Sequence, residues 1–179
     1  MIYHLRAISN ECEDFVLDIA IDSQFTFLEL HDFIQEKLDY DPSHMASFFT
    51  TDEDWQKEHE VTLIDMDEEA ENTSSMEKTH LEDLLTRVKQ RLLYAFDLFS
   101  ERVLFMELSQ IDEGTLQFPV CTKLRGITPV QFSESDFPLD GQEVNNDSFH
   151  DDDDMDDLYN GYEDLDNYSD EEYDDDNLY

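Results

Sequence analysis

Basic side chains are scarce in this chain of 179 residues: ten Lys and Arg stand against 48 Asp and Glu, for a formal net charge of −38. A field of that sign argues against direct binding to nucleic acid or to a membrane surface, since both are polyanionic. Recombinase or nuclease work would need a basic surface for phosphates, and the composition does not provide one. Glycine occurs only at positions 114, 126, 141 and 161, and none of these sits in a phosphate-cradling loop. There is no G-x-S-x-G nucleophile elbow. The two cysteines, Cys12 and Cys121, are isolated and lack metal-ligand spacing, which suits free thiols in a reducing cytoplasm. No apolar run approaches the ~18 residues of a membrane span, and no basic segment precedes a signal-like apolar stretch, so neither a span nor a secretory signal is expected.

The acidity is unevenly placed. Residues 131–179 hold 20 Asp and Glu and no Lys or Arg, whereas residues 1–130 hold 28 acids and all ten bases. The first part is rich in Phe, Leu, Ile and Val and is long enough to bury a proper core. In the second part acids and Asn alternate with single aromatics, Phe149, Tyr159, Tyr162, Tyr168, Tyr173 and Tyr179, without periodicity. Such a composition cannot offset its ordering entropy, so residues 131–179 are expected to form a disordered acidic tail on a compact domain at 1–130.

Within the first part the clearest local signal is Thr26–Phe48. Thr26 with Glu29 three residues on is a capping-box pattern, and Phe27, Leu30, Ile34 and Leu38 recur at helical spacing. Asp41-Pro42 closes the segment. Alternation predicts strands at 2–8 and 15–21, a strand near 45–50 and a short strand at 61–66. Residues 91–98 and 101–109 read as a hairpin at the sheet centre. Thr79 is read as the cap of a second helix over 80–89, residues 67–75 as a surface loop, and 115–130 as an ordered wrapping segment. Together these predict an α+β fold: a mixed, largely antiparallel sheet of about five to six strands, with one main helix (26–38) on a face and a second short helix (80–89).

Chemistry-bearing residues are few. His31 lies near the helix's apolar stripe and reads as a satisfied, half-buried histidine. His4, His59, His80 and His150 are scattered. Cys121 has Lys123 and Arg125 nearby, which would favour a thiolate, but no base accompanies it. A calcium loop centred on Gly161 would place Leu158 at a position that requires an oxygen ligand, so no standard EF-hand is present.

The helix Leu30-His31-Asp32-Phe33-Ile34-Gln35, followed by Tyr40, His44 and Phe48, then Phe96-Asp97, Pro119-Val120-Cys121, Gly126 and Pro129, resembles the plasmid ORF-3-like family, also labelled insertion-element passenger or TnpR-like. Ala46 stands where that pattern has a second histidine, and Phe99-Ser100 where it has Gly-Asp. The likeness covers roughly residues 1–130 and marks the chain as a divergent member with an added acidic tail. It implies a compact α+β domain and, if the family has a His/Asp site, a candidate site of His31, His44 and Asp97. The expected function is a non-catalytic protein-interaction module, its tail engaging a basic protein partner or aiding solubility. The alternative is a metal-dependent or family-type enzyme acting through His31, His44 and Asp97. No cofactor is expected, and a monomer is.

Overall fold

The structure is a computed structural model that describes residues 1–64 and 72–131. Apart from Gln131, the acidic segment at 131–179 lies outside the described residues. Eight strands form one sheet: β1 (Ile2–Ser9), β2 (Val16–Asp22), β3 (Ser47–Thr51), β4 (Lys57–Thr62), β5 (Thr73–Ser75), β6 (Arg91–Asp97), β7 (Arg102–Asp112) and β8 (Val120–Arg125). Their order is β5-β4-β3-β6-β7-β1-β2-β8. Only the β4–β5 pair is parallel; the other pairs are antiparallel. The sheet is therefore mixed and largely antiparallel, and the β6–β7 hairpin occupies its middle. Eight strands replace the five to six expected.

The two extra strands have physical reasons. β5 is Thr-Ser-Ser, with no apolar residue to announce it, and forms by pairing with the edge of β4. β8 lies in the segment read as a wrapping tail and pairs with the free edge of β2. Gly126 ends it at φ +84, and a Cβ there would collide with the Asp14 carbonyl, so only glycine lets the chain pass this closely. β4 begins at Lys57, earlier than the apolar run around Val61, because its outer half carries charges at the sheet margin.

The main helix α1 spans Phe27–Leu38. Thr26 Oγ1 accepts from the Glu29 amide (3.2 Å), and the Thr26 amide donates to the Glu29 carboxylate (2.8 Å). Asp39 closes the helix in the left-handed region (φ 56), two residues earlier than the proline signal suggested. Losing such a cap costs about 1 kcal/mol. Thr26→Ala is accordingly expected to lower stability by that amount in urea melts, with the urea dependence unchanged. The second helix, α2, is shorter than expected, Leu81–Leu84 rather than 80–89. Thr79 does not cap it. The Thr79 hydroxyl donates to Ser75 O instead, and the His80 amide donates to the Asp83 carboxylate.

The helix stripe packs on one sheet face. Phe27, Leu30 and Ile34 share a core with Leu5, Leu17, Ile19, Phe48, Tyr94, Leu104 and Met106, all buried. Leu104, Met106 and Leu108 point into this core, as their alternation with Val103, Phe105 and Glu107 indicated. The opposite face has its own small cluster: Phe49, Leu93 and Ala95, flanked by Trp55, Leu98, Val103 and Phe105.

Candidate functional site

α1 places His31 and Gln35, one turn apart, against Tyr94 on β6. All three are buried, at 2%, 4% and 0% exposure. Gln35 Nε2 donates to Tyr94 Oη at 2.5 Å, and Tyr94 Oη lies 2.9 Å from His31 Nδ1. The arrangement is a relay in which the Tyr94 hydroxyl accepts from Gln35 and, with the His31 ring neutral, is free to donate to Nδ1. That role for Nδ1 requires the neutral imidazole with its proton on Nε2. Burial depresses the His31 pKa, opposed by the neighbouring Asp32 carboxylate, and burial raises that of the Tyr94 hydroxyl. Both groups are neutral in this setting. Gln35 Oε1 is buried without a hydrogen-bond partner.

His44 and Asp97 sit elsewhere in the contact network. His44 lies in the turn after α1, exposed, with Nδ1 3.9 Å from the Asp41 carboxylate. Asp97 ends β6, where its Oδ1 accepts from the amides of Phe99 (3.0 Å) and Ser100 (3.1 Å). Burial works against the Asp97 carboxylate, but the Ser100 and Phe99 bonds hold its pKa below the usual value. His31 and Asp97 are not bonded to each other among the described residues. Nor do the described residues contain a group of three or more His, Cys, Asp or Glu able to hold a metal ion. Cys12 and Cys121 are free, half-buried thiols.

Next to this region the end of the described chain is strapped down. Tyr40 Oη donates to Pro129 O (2.7 Å), and the Gln131 side chain accepts from the Asp41 amide (2.6 Å) and donates to Asp41 O (3.0 Å). Arg102 joins Glu11 in a two-pronged ion pair and donates to Val130 O and Gln131 O. Gln131, which the sequence grouped with the acidic segment, is buried against the domain.

The described surface has a second feature that sequence reading missed. Arg87, Val88, Lys89, Gln90 and Arg91 form one wall of a groove of about 180 Å³, facing Thr51, Asp52 and Glu53. The Arg91 guanidinium lies over the Trp55 ring, 4.9 Å from its centre, and Trp55 meets Phe105 edge-on. Three of the ten bases fall within five residues here. That density was the available signal, but residues 80–89 were read as a helix and 91–98 as a strand, which divided it.

With the geometry established, three comparisons place the chain. Comparison with curated proteins finds no match. Among solved structures, the chain is similar to a protein of unknown function, MM3350 from Methanosarcina mazei Go1, known from a crystal structure. The two share 23% identity over 69% of this chain and 68% of that one, with a TM-score of 0.53. At that identity the likeness speaks to the fold alone. The family model described as plasmid pRiA4b ORF-3-like protein matches residues 10–135, which span β2 through β8 and every residue of the His31–Gln35–Tyr94 relay. This chain belongs to the plasmid pRiA4b ORF-3-like protein family.

Proposed function

We propose that the protein is a non-catalytic protein-interaction module whose acidic tail, expected at residues 131–179, engages a basic partner or aids solubility. The observation that carries this reading is the structural occupation of the candidate site. His31 is neutral, buried and bonded to Tyr94, and Asp97 is held by two backbone amides of its own turn. Charge supplies the rest: the domain portion 1–130 alone carries 28 acids against ten bases, a field that draws basic surfaces and speeds their encounter. The proposed setting is a reducing cytoplasm, in which Cys12 and Cys121 stay as thiols.

Enzymatic or metal chemistry through His31, His44 and Asp97 is the competing proposal. It would require His31 to leave Tyr94, stranding a buried polar group at roughly 1–3 kcal/mol, and Asp97 to release the two amides of its exposed turn. Two measurements separate the readings. Affinity capture from cytoplasm with the full chain, and with a chain ending at Gln131, is expected to recover a basic protein whose yield falls when the acidic segment is missing. The cut falls after Gln131 because its side chain holds Asp41. Metal analysis of protein purified without chelator is expected to give no stoichiometric metal; one zinc or iron per chain would overturn the module reading.

A further inference from the structure

The groove beside Trp55 carries an inference independent of any partner that the acidic surface recruits. We propose that it binds a compact oxyanion, a phosphate or carboxylate group of a small ligand, through Arg87, Lys89 and Arg91.

The first argument is the state of the cations. Bases are few beside 48 acids, and half of the ten are ion-paired among the described residues. Arg6 is paired with Asp18, Lys37 with Glu36, Arg102 with Glu11 and Arg125 with Asp14. Arg87 and Lys89 are exposed, and their side chains make no ion pair or hydrogen bond among the described residues. Arg91 is positioned differently. Its guanidinium is spread over Trp55 and donates to the Glu53 carbonyl, with the Glu107 carboxylate at 3.9 Å. Lys57, on the same row of the sheet as Thr51 and Arg91, lies over the Phe49 ring at 4.1 Å.

The second argument is rigidity. The loop that presents Arg87 and Lys89 is stapled at both ends by Gln90. Gln90 Nε2 donates to Leu84 O (2.6 Å), and its Oε1 accepts from the Thr86 amide (3.0 Å). Lys89 is held in the left-handed region at φ 70, and its amide donates to Leu108 O (2.7 Å). Trp55 in the facing turn is also left-handed, at φ 64. Left-handed non-glycine residues, Lys89 in the groove wall and Trp55 in the turn that carries Asp52 and Glu53, mark a geometry that the surrounding structure enforces. A loop backbone fixed in advance loses little freedom when a ligand arrives.

Size and charge then select the ligand class. A volume of about 180 Å³ is below the ~300 Å³ at which drug-sized pockets begin, so the groove suits a single anionic group. Two acids share its walls. The Asp52 carboxylate is turned into its own loop, accepting from the Asp54 and Gln56 amides at 2.8 Å each, while Glu53 is exposed. An extended polyanion such as nucleic acid would meet the negative field of the whole domain. A compact anion inside the groove experiences mainly charges within a Debye length of about 8 Å.

Trp55 is the sole tryptophan and lies under Arg91, so its fluorescence reports on the groove directly. The test titrates the full chain with inorganic phosphate and, separately, with citrate. A saturable change with phosphate alone assigns the ligand to the phosphates, one with citrate alone to the carboxylates, and either supports the site. The double variant Arg87→Gln/Lys89→Gln is expected to weaken binding at least about tenfold. Lys123→Gln, which removes another exposed cation on β8, is expected to leave it unchanged. Chemical-shift changes in the unmodified chain, confined to amides at 51–56 and 86–91, give a readout that needs no variant. The proposal is overturned by no saturable response to either anion up to about 50 mM, by shifts centred elsewhere, by equal loss in Lys123→Gln, or by binding of an oligonucleotide but neither small anion.

Discussion

Phe48→Ala is expected to remove about 4 kcal/mol of stability, the largest effect of any single truncation considered for this fold. Phe48 is completely buried on β3, its ring 5.3 Å from Phe27 on α1 and 4.7 Å from Tyr94 on β6. It therefore touches both the helix and the sheet neighbour, and it lies opposite Val61 on β4. No other side chain can swing into the space it vacates without leaving its own place in the core. Against a total of roughly 5–15 kcal/mol for a domain, such a loss leaves a partly unfolded population at ambient temperature. Phe49→Ala, one residue along, gives the contrast. Phe49 points to the other face and belongs to the small cluster with Leu93 and Ala95, which has far fewer buried members than the helix-side core. It should cost less than half as much. Urea melts of the two variants check the difference; equal losses would show that the two faces share the load and that the helix-side core is not dominant.

The same pair shows why part of the fold was legible. On β6 and β7 the helix face is large and apolar at every second position (Leu92, Tyr94 and Phe96; Leu104, Met106 and Leu108), and on β7 burial follows the same period. α1 was legible because a cap, a stripe and a stop all pointed to one span. The misses share a cause. β5 has no apolar side chain, β8 shows no clean alternation, and both exist because an exposed strand edge was available to pair with. Edge pairing is a property of the neighbour, so it leaves little trace in the strand's own sequence. α2 was over-extended because Leu81, Leu84, Leu85 and Val88 mimic a helical stripe. In the structure Leu81 and Leu85 are buried, Val88 is 46% exposed, and the chain turns at Lys89 to enter β6.

Of the candidate site, His31 was legible as a buried residue because it sits beside the apolar stripe. Its partner was not. Tyr94 lies 63 positions away, and only the pairing of β3 with β6 brings its hydroxyl under α1. Asp97 was flagged through family likeness, and its position identifies the physical need it meets: a carboxylate that accepts two amides at a tight turn in which Glu101 takes φ 53. The groove was missed because Arg87, Lys89 and Arg91 were assigned to two different elements, a helix end and a strand start, when one stapled loop joins them.

Tyr94→Phe is expected to cost about 2 kcal/mol, an unusually large effect for the loss of one oxygen atom. The ring packing survives, but His31 Nδ1 loses its donor and Gln35 Nε2 its acceptor. Gln35 Oε1 has no partner already, so the whole amide would be left unsatisfied in the core. The relay also has a pH signature. Burial sets the pKa of His31 below its ordinary value of 6.5, so between those two values the unfolded chain binds a proton that the folded chain refuses. Stability from this group is therefore complete above pH 6.5 and is lost as pH falls below it. Acidification also relieves repulsion among the chain's many carboxylates, which acts in the opposite direction. The informative quantity is thus the difference between the unmodified chain and His31→Gln, whose amide oxygen can still accept from Tyr94. That difference should be flat above about pH 6.5 and should shift in favour of the variant as pH falls toward 5. A difference that stayed flat throughout, or moved the other way, would mean that the folded protein accepts the proton on His31 without penalty and that the neutral relay is wrongly drawn.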